Sequence, residues 1–268
     1  MKALAKEKVV IIGCGNVAWH IAKHLQTLKL YTITIYNHKP NTSLSKFRTV
    51  LKCKTVVGLD AILEDAKLYF ICVNDSSIAE VGGKIIAKHP NALLMHTSGS
   101  TKLEALGNRI HPVGVFYPLQ TFSKEAEVNW EKVPILIESA NRDTEHILLS
   151  LADLFTKQVY SLSYKSRLKF HLAAVLVNNF VNALYVSASD LIHTDSSSTN
   201  LSFELLLPLI GETTEKIKHL SPRLAQTGPA KRKDMEVMKK HLKLIKKETE
   251  LHKVYKQLSH LIVKQQEN

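Results

Sequence analysis

The chain has 268 residues, 45% of them hydrophobic and 22% charged, enough apolar content for a buried core and too ordinary a mixture for a disordered chain. Three cysteines (Cys14, Cys53 and Cys72) without C-x-x-C spacing argue against a disulfide framework and read as small buried residues. The formal net charge is +12, and residues 215–264 carry much of it, with 14 Lys/Arg against five Asp/Glu. No aromatic-rich or helix-turn-helix signature accompanies that stretch, so it reads as a solvated helix face in preference to a nucleic-acid surface. The apolar run Val9–Ile12 is too short for a signal-peptide core. The longest later run, Leu172–Val177, falls far short of the roughly 18 residues of a membrane span. These features set the expectation of a cytoplasmic protein with no membrane segment.

Up to about residue 160, β-rich runs alternate with helical spacing. Strands are expected at Val9–Ile12, Tyr31–Tyr36, Thr55–Val57, Leu68–Val73, Ala92–Met95, Val113–Phe116, Pro134–Glu138 and Val159–Leu162. Helices are expected at Asn16–Leu28, from Asp60 through Glu64, at Ser77–Ala87, Lys102–Leu106 and Asp143–Phe155. This alternation, with continuous apolar strands, implies a mostly parallel, doubly wound sheet covered on both faces. Beyond residue 163 only helical spacing remains, over Lys165–Ile192, Phe203–Leu220 and Lys231–Val263, broken at His193–Ser202 and Gln226–Pro229. The expected organisation is α/β: a first domain over residues 1–162 and an all-α domain over 163–268.

The strongest local signal is Gly13-Cys14-Gly15-Asn16-Val17-Ala18, a G-x-G-x-x-A run directly after an apolar strand and directly before a helix. Gly13 permits a tight turn, Gly15 lets the backbone approach a pyrophosphate, and Ala18 lets helix and strand pack closely. The pyrophosphate is expected over the helix N-terminus, in the manner of a Rossmann domain. At the end of the second strand stands Asn37-His38-Lys39. An NAD site usually has a carboxylate there; its absence, with Lys39 able to pair a 2′-phosphate, fits NADP better than NAD. Two further strand ends belong beside such a cofactor: Val73-Asn74-Asp75, and Thr97 with Ser98 and Gly99. His20 and His24 have i, i+4 spacing, but no adjacent glutamate or third ligand accompanies them, so no metal site is expected.

With these motifs assembled, the chain resembles Rossmann-like proteins of unknown function whose second half is a helical domain of the 6-phosphogluconate dehydrogenase C-terminal kind. These are distant relatives of pyrroline-5-carboxylate reductase and 3-hydroxyisobutyrate dehydrogenase. The resemblance runs through Gly13–Ala18, Asn74-Asp75, His96–Gly99, Tyr117–Phe122, His171–Asn179, Leu207–Ile210, and Thr227-Gly228-Pro229 with Arg232 and Asp234. It implies a nicotinamide-dependent oxidoreductase, dimeric through the helical domain. Two positions depart from the pattern: Tyr117 where a histidine is expected, and Lys233 where a glycine is expected.

Hydride transfer needs one proton handled by the protein. The resemblance places a catalytic lysine and asparagine on the first long helix of the second domain. The asparagine maps to Asn179, but Val175 stands at the lysine position. His171, one turn earlier, is suited to acid–base work, and α-helical counting puts it on one face with Asn178 and Asn179. Ser98 and Gly99 match substrate-contacting positions, while Tyr117 and Gln120 lie in the segment between domains and Thr227-Gly228 opens onto the last helix. The expected function is an NADP-dependent oxidoreductase acting on a small polar carbonyl, imine or alcohol. The alternative, favoured by the missing lysine, is a non-catalytic NADP-binding sensor or scaffold.

Overall fold

The computed structural model describes residues 6–58, 66–108, 110–193 and 202–267. The backbone divides into two compact units, residues 1–178 and 179–268. The first contains eight strands: β1 (Glu7–Ile12), β2 (Tyr31–Asn37), β3 (Lys54–Val57), β4 (Leu68–Ile71), β5 (Leu93–His96), β6 (Val113–Pro118), β7 (Ile135–Ser139) and β8 (Val159–Ser161). They form one sheet in the order β3-β2-β1-β4-β5-β6-β7-β8. Strands β1 to β6 are parallel, β7 runs antiparallel to β6, and β8 runs parallel to β7. The order reverses between β1 and β4, the switch point where open α/β sheets leave a crevice at the carboxyl ends of their strands.

The continuous apolar strands are explained by two cores, one on each face of the sheet. Val9 and Ile11 of β1 join helices α1 (Asn16–Thr27), α2 (Thr42–Thr49) and α4 (Arg142–Asp153) in one core, through Trp19, Leu25, Phe47 and Leu148. Val10 and Ile12 point the other way, into a core with Ile78 and Ile85 of α3 (Ile78–Lys88) and with Leu103 and Leu106. Each fully buried aliphatic side chain contributes about 1.5–3 kcal/mol relative to exposure, so neither face tolerates a polar run.

Helix α2 has no counterpart in the sequence expectation. Pro40-Asn41-Thr42-Ser43 looks like a turn, but Asn41 is its N-cap, with Oδ1 accepting from the Leu44 N–H at 2.7 Å, and Leu44 and Phe47 are its buried face. The helix expected at Lys102–Leu106 is a single 3-10 turn, Leu103–Leu106, closed by Gly107 at φ +123°. The helix expected from Asp60 through Glu64 lies outside the described residues.

After β8 every described element is helical. Helix α5 (Tyr164–Ala174) leads through one π-helical turn, Val175–Asn179, into α6 (Phe180–His193). The division between units falls inside that turn, not at 162/163 where the strand pattern stops, because α5 is tied to the sheet by its buried Arg167. The span Tyr164–Ile192 also corrects an expectation: it holds an 18-residue window of mean hydropathy 1.4, apolar and long enough by composition to cross a membrane. The few polar residues within it interrupt the apolar runs without lowering the average enough.

In the second unit, α7 (Leu207–His219), the short α8 (Pro222–Ala225), α9 (Met235–Leu244) and α10 (Thr249–Glu267) follow α6. The stretch Lys231–Val263, expected as continuous helical spacing, is two helices. Asp234 caps α9, accepting from the Val237 N–H at 3.1 Å, and a turn at Ile245–Glu248 precedes α10. Lys233, where the resemblance leads one to expect glycine, has φ +56°. The left-handed backbone persists although a side chain there costs about 1–2 kcal/mol.

Candidate functional site

The glycine turn joins β1 to α1. Gly13 has φ +104°, and a Cβ there would lie 2.2 Å from the Cys72 carbonyl oxygen. Only glycine serves at this position. At Gly15 the Cβ direction is open, with nothing within 4 Å. Helix α1 starts without a side-chain cap and without an acidic residue in its first turn. Asn16 and Val17 supply backbone N–H groups at that start, and Ala18 is fully buried against the strand. Free N–H groups, the helix dipole and clear space beside Gly15 fit a pyrophosphate.

At the end of β2, Asn37 is buried and donates through Nδ2 to the Lys39 carbonyl at 2.7 Å, while His38 and Lys39 are exposed. A cation that no sequence motif marks comes in from another quarter. Lys124, in the segment after β6, donates from Nζ to the Cys14 carbonyl at 2.9 Å and to the Ser43 hydroxyl, which itself donates to the Cys14 carbonyl at 2.6 Å. Its ammonium also lies 5.8 Å from the Trp19 ring centroid and 5.6 Å from that of Phe47. Nearby residues fasten the same segment to α1: Asn16 Nδ2 donates to the Phe122 carbonyl at 2.8 Å, and His20 Nε2 lies 2.7 Å from the Ser123 carbonyl. His24 Nε2 lies 2.8 Å from the Leu154 carbonyl. The i, i+4 histidine pair is thus engaged with backbone, and the described residues hold no His/Cys/Asp/Glu cluster suited to a metal.

The ends of β4 and β5 meet through Asp75. Val73 is half-buried and Asn74 exposed, and the Thr97 N–H reaches the Ile71 carbonyl at 3.3 Å. The Ser98 hydroxyl donates to Asp75 Oδ2 at 2.8 Å and accepts from the N–H groups of Ser100 and Thr101 at 3.1 and 3.0 Å. The Ser100 hydroxyl donates to the same carboxylate oxygen. Burial pushes the Asp75 carboxyl up, but the hydrogen bonds from Ser100, Ser98 and Thr101 and the charge of His96 outweigh it and hold it below the usual range. Ser98, expected at the substrate, thus has its hydroxyl engaged in closing this turn.

Behind the turn lies Arg167 of α5, fully buried. It donates to the carbonyls of Ser98 at 2.9 Å and Thr101 at 2.8 Å, and pairs with Glu138 Oε2 at 2.9 Å. One turn further along α5, His171 Nδ1 is 3.1 Å from the Tyr117 hydroxyl. Both rings press on Gly99, where a Cβ would lie 2.6 Å from His171 Nδ1 and 2.8 Å from Tyr117 Cζ. Burial raises the Tyr117 hydroxyl above the usual phenol value, with Arg167 opposing and Asp75 adding to the shift, so Tyr117 keeps its proton at neutral pH. Gly99, Tyr117 and His171, singled out separately in the sequence, therefore form one cluster at the carboxyl ends of β5 and β6. Gln120 is exposed and accepts from the Thr121 N–H at 2.8 Å.

Asn179, Thr227 and Gly228 belong to the second unit. Asn179 ends the π turn, which is wider than the α-turn assumed in counting from His171, so the shared face inferred for His171, Asn178 and Asn179 does not follow from spacing. Thr227 is exposed, and Gly228 has φ +102° with open space at its Cβ position.

The strand order, the glycine turn at the switch point and the helical second unit define a fold of the Rossmann oxidoreductases. Residues 133–262 match the family model described as a domain of unknown function, DUF2520. The solved structure of a Bacteroides fragilis protein, provisionally described as an NADP oxidoreductase, shares 33% identity over 97% of this chain and 98% of that one, with a TM-score of 0.88. The chain belongs to that protein's family. The Thermotoga maritima protein TM1727 has the same fold at 21% identity, 97% and 98% coverage and a TM-score of 0.69. A Coxiella burnetii pyrroline-5-carboxylate reductase follows at 13% identity, 98% coverage of both chains and a TM-score of 0.56, so that part of the resemblance holds at the level of fold. No curated protein matches the sequence.

Two stability measurements check this geometry. In urea unfolding, Gly13→Ala is expected to lose roughly 1–3 kcal/mol or more from forced backbone strain, and Gly15→Ala little; equal losses would contradict the assigned turn. The second concerns His96, fully buried at the end of β5, whose Nδ1 lies 3.1 Å from the Ser98 N–H. Burial, aided by the charge of Arg167, pushes its pKa down from 6.5 to about 4. Between those values the unfolded chain binds a proton that the folded chain refuses, so stability is full above pH 6.5 and falls as the pH drops toward 4. The loss is on the order of 3 kcal/mol. His96→Gln should flatten the pH dependence in that window, and an unchanged slope would show that His96 is not its source.

Proposed function

We propose that the first unit binds a nicotinamide dinucleotide in its 2′-phosphorylated form, and that the chain is an oxidoreductase acting on a small polar carbonyl, imine or alcohol. The observation that carries the reading is the Tyr117–His171 pair on Gly99, at the carboxyl ends of the same parallel strands whose glycine turn fits a pyrophosphate. Gly13 through Ala18 would hold the pyrophosphate; Asn37, His38 and Lys39 would face the adenosine ribose; Val73, Asn74, Asp75 and Thr97 would line the nicotinamide side. A bound nicotinamide supplies or accepts the hydride. The chain's own part is the proton: the Tyr117 hydroxyl and the His171 ring, whose Nδ1 lies 3.1 Å from that hydroxyl, would pass it to or from a substrate oxygen or nitrogen. Ser98 shapes the floor through its turn. Asn179 keeps the role that the resemblance implies, and Gln120, Thr227 and Gly228 stay candidates by their places in the chain. The provisional description of the Bacteroides fragilis relative as an NADP oxidoreductase supports the cofactor choice.

The competing reading, a sensor that binds the dinucleotide without turnover, draws on Val175 where related dehydrogenases are expected to carry lysine. Calorimetric titration with NADPH and NADH, followed by a screen of small imines, ketones and aldehydes for NADPH oxidation, separates the two. We expect NADPH to bind more tightly than NADH, and Tyr117→Phe and His171→Gln to lower turnover by about 10²–10⁴-fold with NADPH affinity unchanged. Binding without turnover of any compound would favour the sensor, and binding of neither dinucleotide would remove both readings.

We also propose a homodimer through the helical unit. Among its described residues only Ala230, Ile245 and Ser259 are buried, while Leu184, Leu191, Leu205, Leu207, Leu209 and Leu224 are exposed. Helices with so little core of their own gain most from a second copy. The basic excess suits solvated faces: Lys216, Lys218, Lys239 and Lys253 each pair with a glutamate three or four residues away. Unpaired thiols at Cys14, Cys53 and Cys72 suit the cytoplasm. Sedimentation should give twice the chain mass without detergent, with thermal stability rising with protein concentration; a monomer at micromolar concentration would overturn the assembly.

A further inference from the structure

The segment after β6 brings an ammonium group to the far side of the glycine turn. Lys124 is half-buried, its ammonium 5.8 Å from the Trp19 ring centroid and 5.6 Å from that of Phe47, and its hydrogen-bond acceptors are two neutral oxygens, the Cys14 carbonyl and the Ser43 hydroxyl. Lys23, Lys84 and Lys157 of the same unit, by contrast, sit on carboxylates. A cation fixed on neutral acceptors has capacity left for an anion. Its position narrows the choice of anion. Cys14 lies between the two glycines of the turn, and Ser43 is in the first turn of α2, which follows β2. The gap between turn and α2 is where the adenosine ribose of a dinucleotide would lie. From His38 to Thr49 the chain has Lys39, Lys46 and Arg48 and no acidic residue, so nothing on that stretch repels a phosphate. Burial also lowers the Lys124 pKa, opposed by Cys14 and the Glu125 carboxylate and aided by the charge of Lys46; a bound anion would relieve that penalty.

We propose that Lys124, with Ser43, is the specificity-determining contact for the adenosine 2′-phosphate, so that choice between the two dinucleotides is read by the β6–β7 segment as well as by the end of β2. This rests on the dinucleotide reading above. The test is isothermal titration of the full-length protein and of Lys124→Met with NADPH and NADH in parallel. Methionine keeps an unbranched stem beside Trp19 and Phe47 and removes the charge; a thermal melt checks that the variant folds, and Lys124→Arg provides a charge-retaining second variant. The expected result is NADPH affinity reduced about 10–100-fold in Lys124→Met, NADH affinity changed less than about twofold, and the preference largely kept in Lys124→Arg. Equal weakening of both ligands would mean that Lys124 only fastens the glycine turn, and would overturn the proposal. A preference unchanged in Lys124→Met, or a wild-type protein that binds both dinucleotides alike, would also overturn it while leaving dinucleotide binding intact. A wild-type protein that binds neither would take away the dinucleotide reading itself.

Discussion

One buried cation organises the candidate site. Arg167 has no exposed surface, and its guanidinium bridges two carbonyls of the Ser98–Thr101 turn to Glu138 on β7. Desolvating a charge costs several kcal/mol unless pairing and hydrogen bonds offset it, and removing one partner of such a set typically costs about 3–5 kcal/mol. The arrangement therefore locks α5 to the β5 turn. It also sets local electrostatics: its charge helps keep His96 neutral and opposes the rise at Tyr117, while ionised Asp75 pulls each the opposite way. With the helix fixed at residue 167, His171 comes round one turn later against Gly99. The contact of both rings with that glycine depends on a residue that touches neither ring's polar atom.

This explains what was legible in the sequence and what was not. The glycine turn was legible because its constraint is written in residue type: a positive φ and a 2.2 Å approach to a carbonyl admit only glycine. The strands were legible because burial on both faces demands unbroken apolar runs. Arg167 was not, since two of its three acceptors are backbone carbonyls, which every residue carries, and its helix offers no periodic signal around it. Ser98 illustrates a second limit. Thr97-Ser98-Gly99 marks a turn beside the crevice, yet the sequence does not say whether the hydroxyl faces a ligand or closes the turn; Asp75, 23 residues earlier, decides it. Asn179 illustrates a third, because counting along a helix presumes α geometry and the π turn breaks that count.

Lys233 shows the reverse case, in which residue type misleads about backbone. A lysine in place of glycine would ordinarily argue against a left-handed turn. The structure keeps φ at +56°, and hydrogen bonds on either side of the residue account for it. The Asp234 N–H reaches the Pro229 carbonyl at 2.9 Å and the Lys233 N–H the Ala230 carbonyl at 3.2 Å, so the turn is closed by backbone whatever side chain stands there.

The segment from Tyr117 to Lys124 joins the two halves of the candidate site. At one end the Tyr117 hydroxyl meets His171. At the other, Phe122 and Ser123 offer carbonyls to Asn16 and His20, and Lys124 donates to the Cys14 carbonyl. Eight residues thus touch both the proposed proton donor and the proposed phosphate cradle, and the contacts differ in kind. The Tyr117 end is a side-chain pair of protonatable groups, sensitive to what lies in the crevice. The Lys124 end is mostly backbone acceptors and a fixed ammonium, sensitive to anions. Because β6 and α1 anchor the two ends in one core through Phe116 and Ala18, the distance between them is set by the sheet. A dinucleotide bound as proposed would span that fixed distance from turn to crevice.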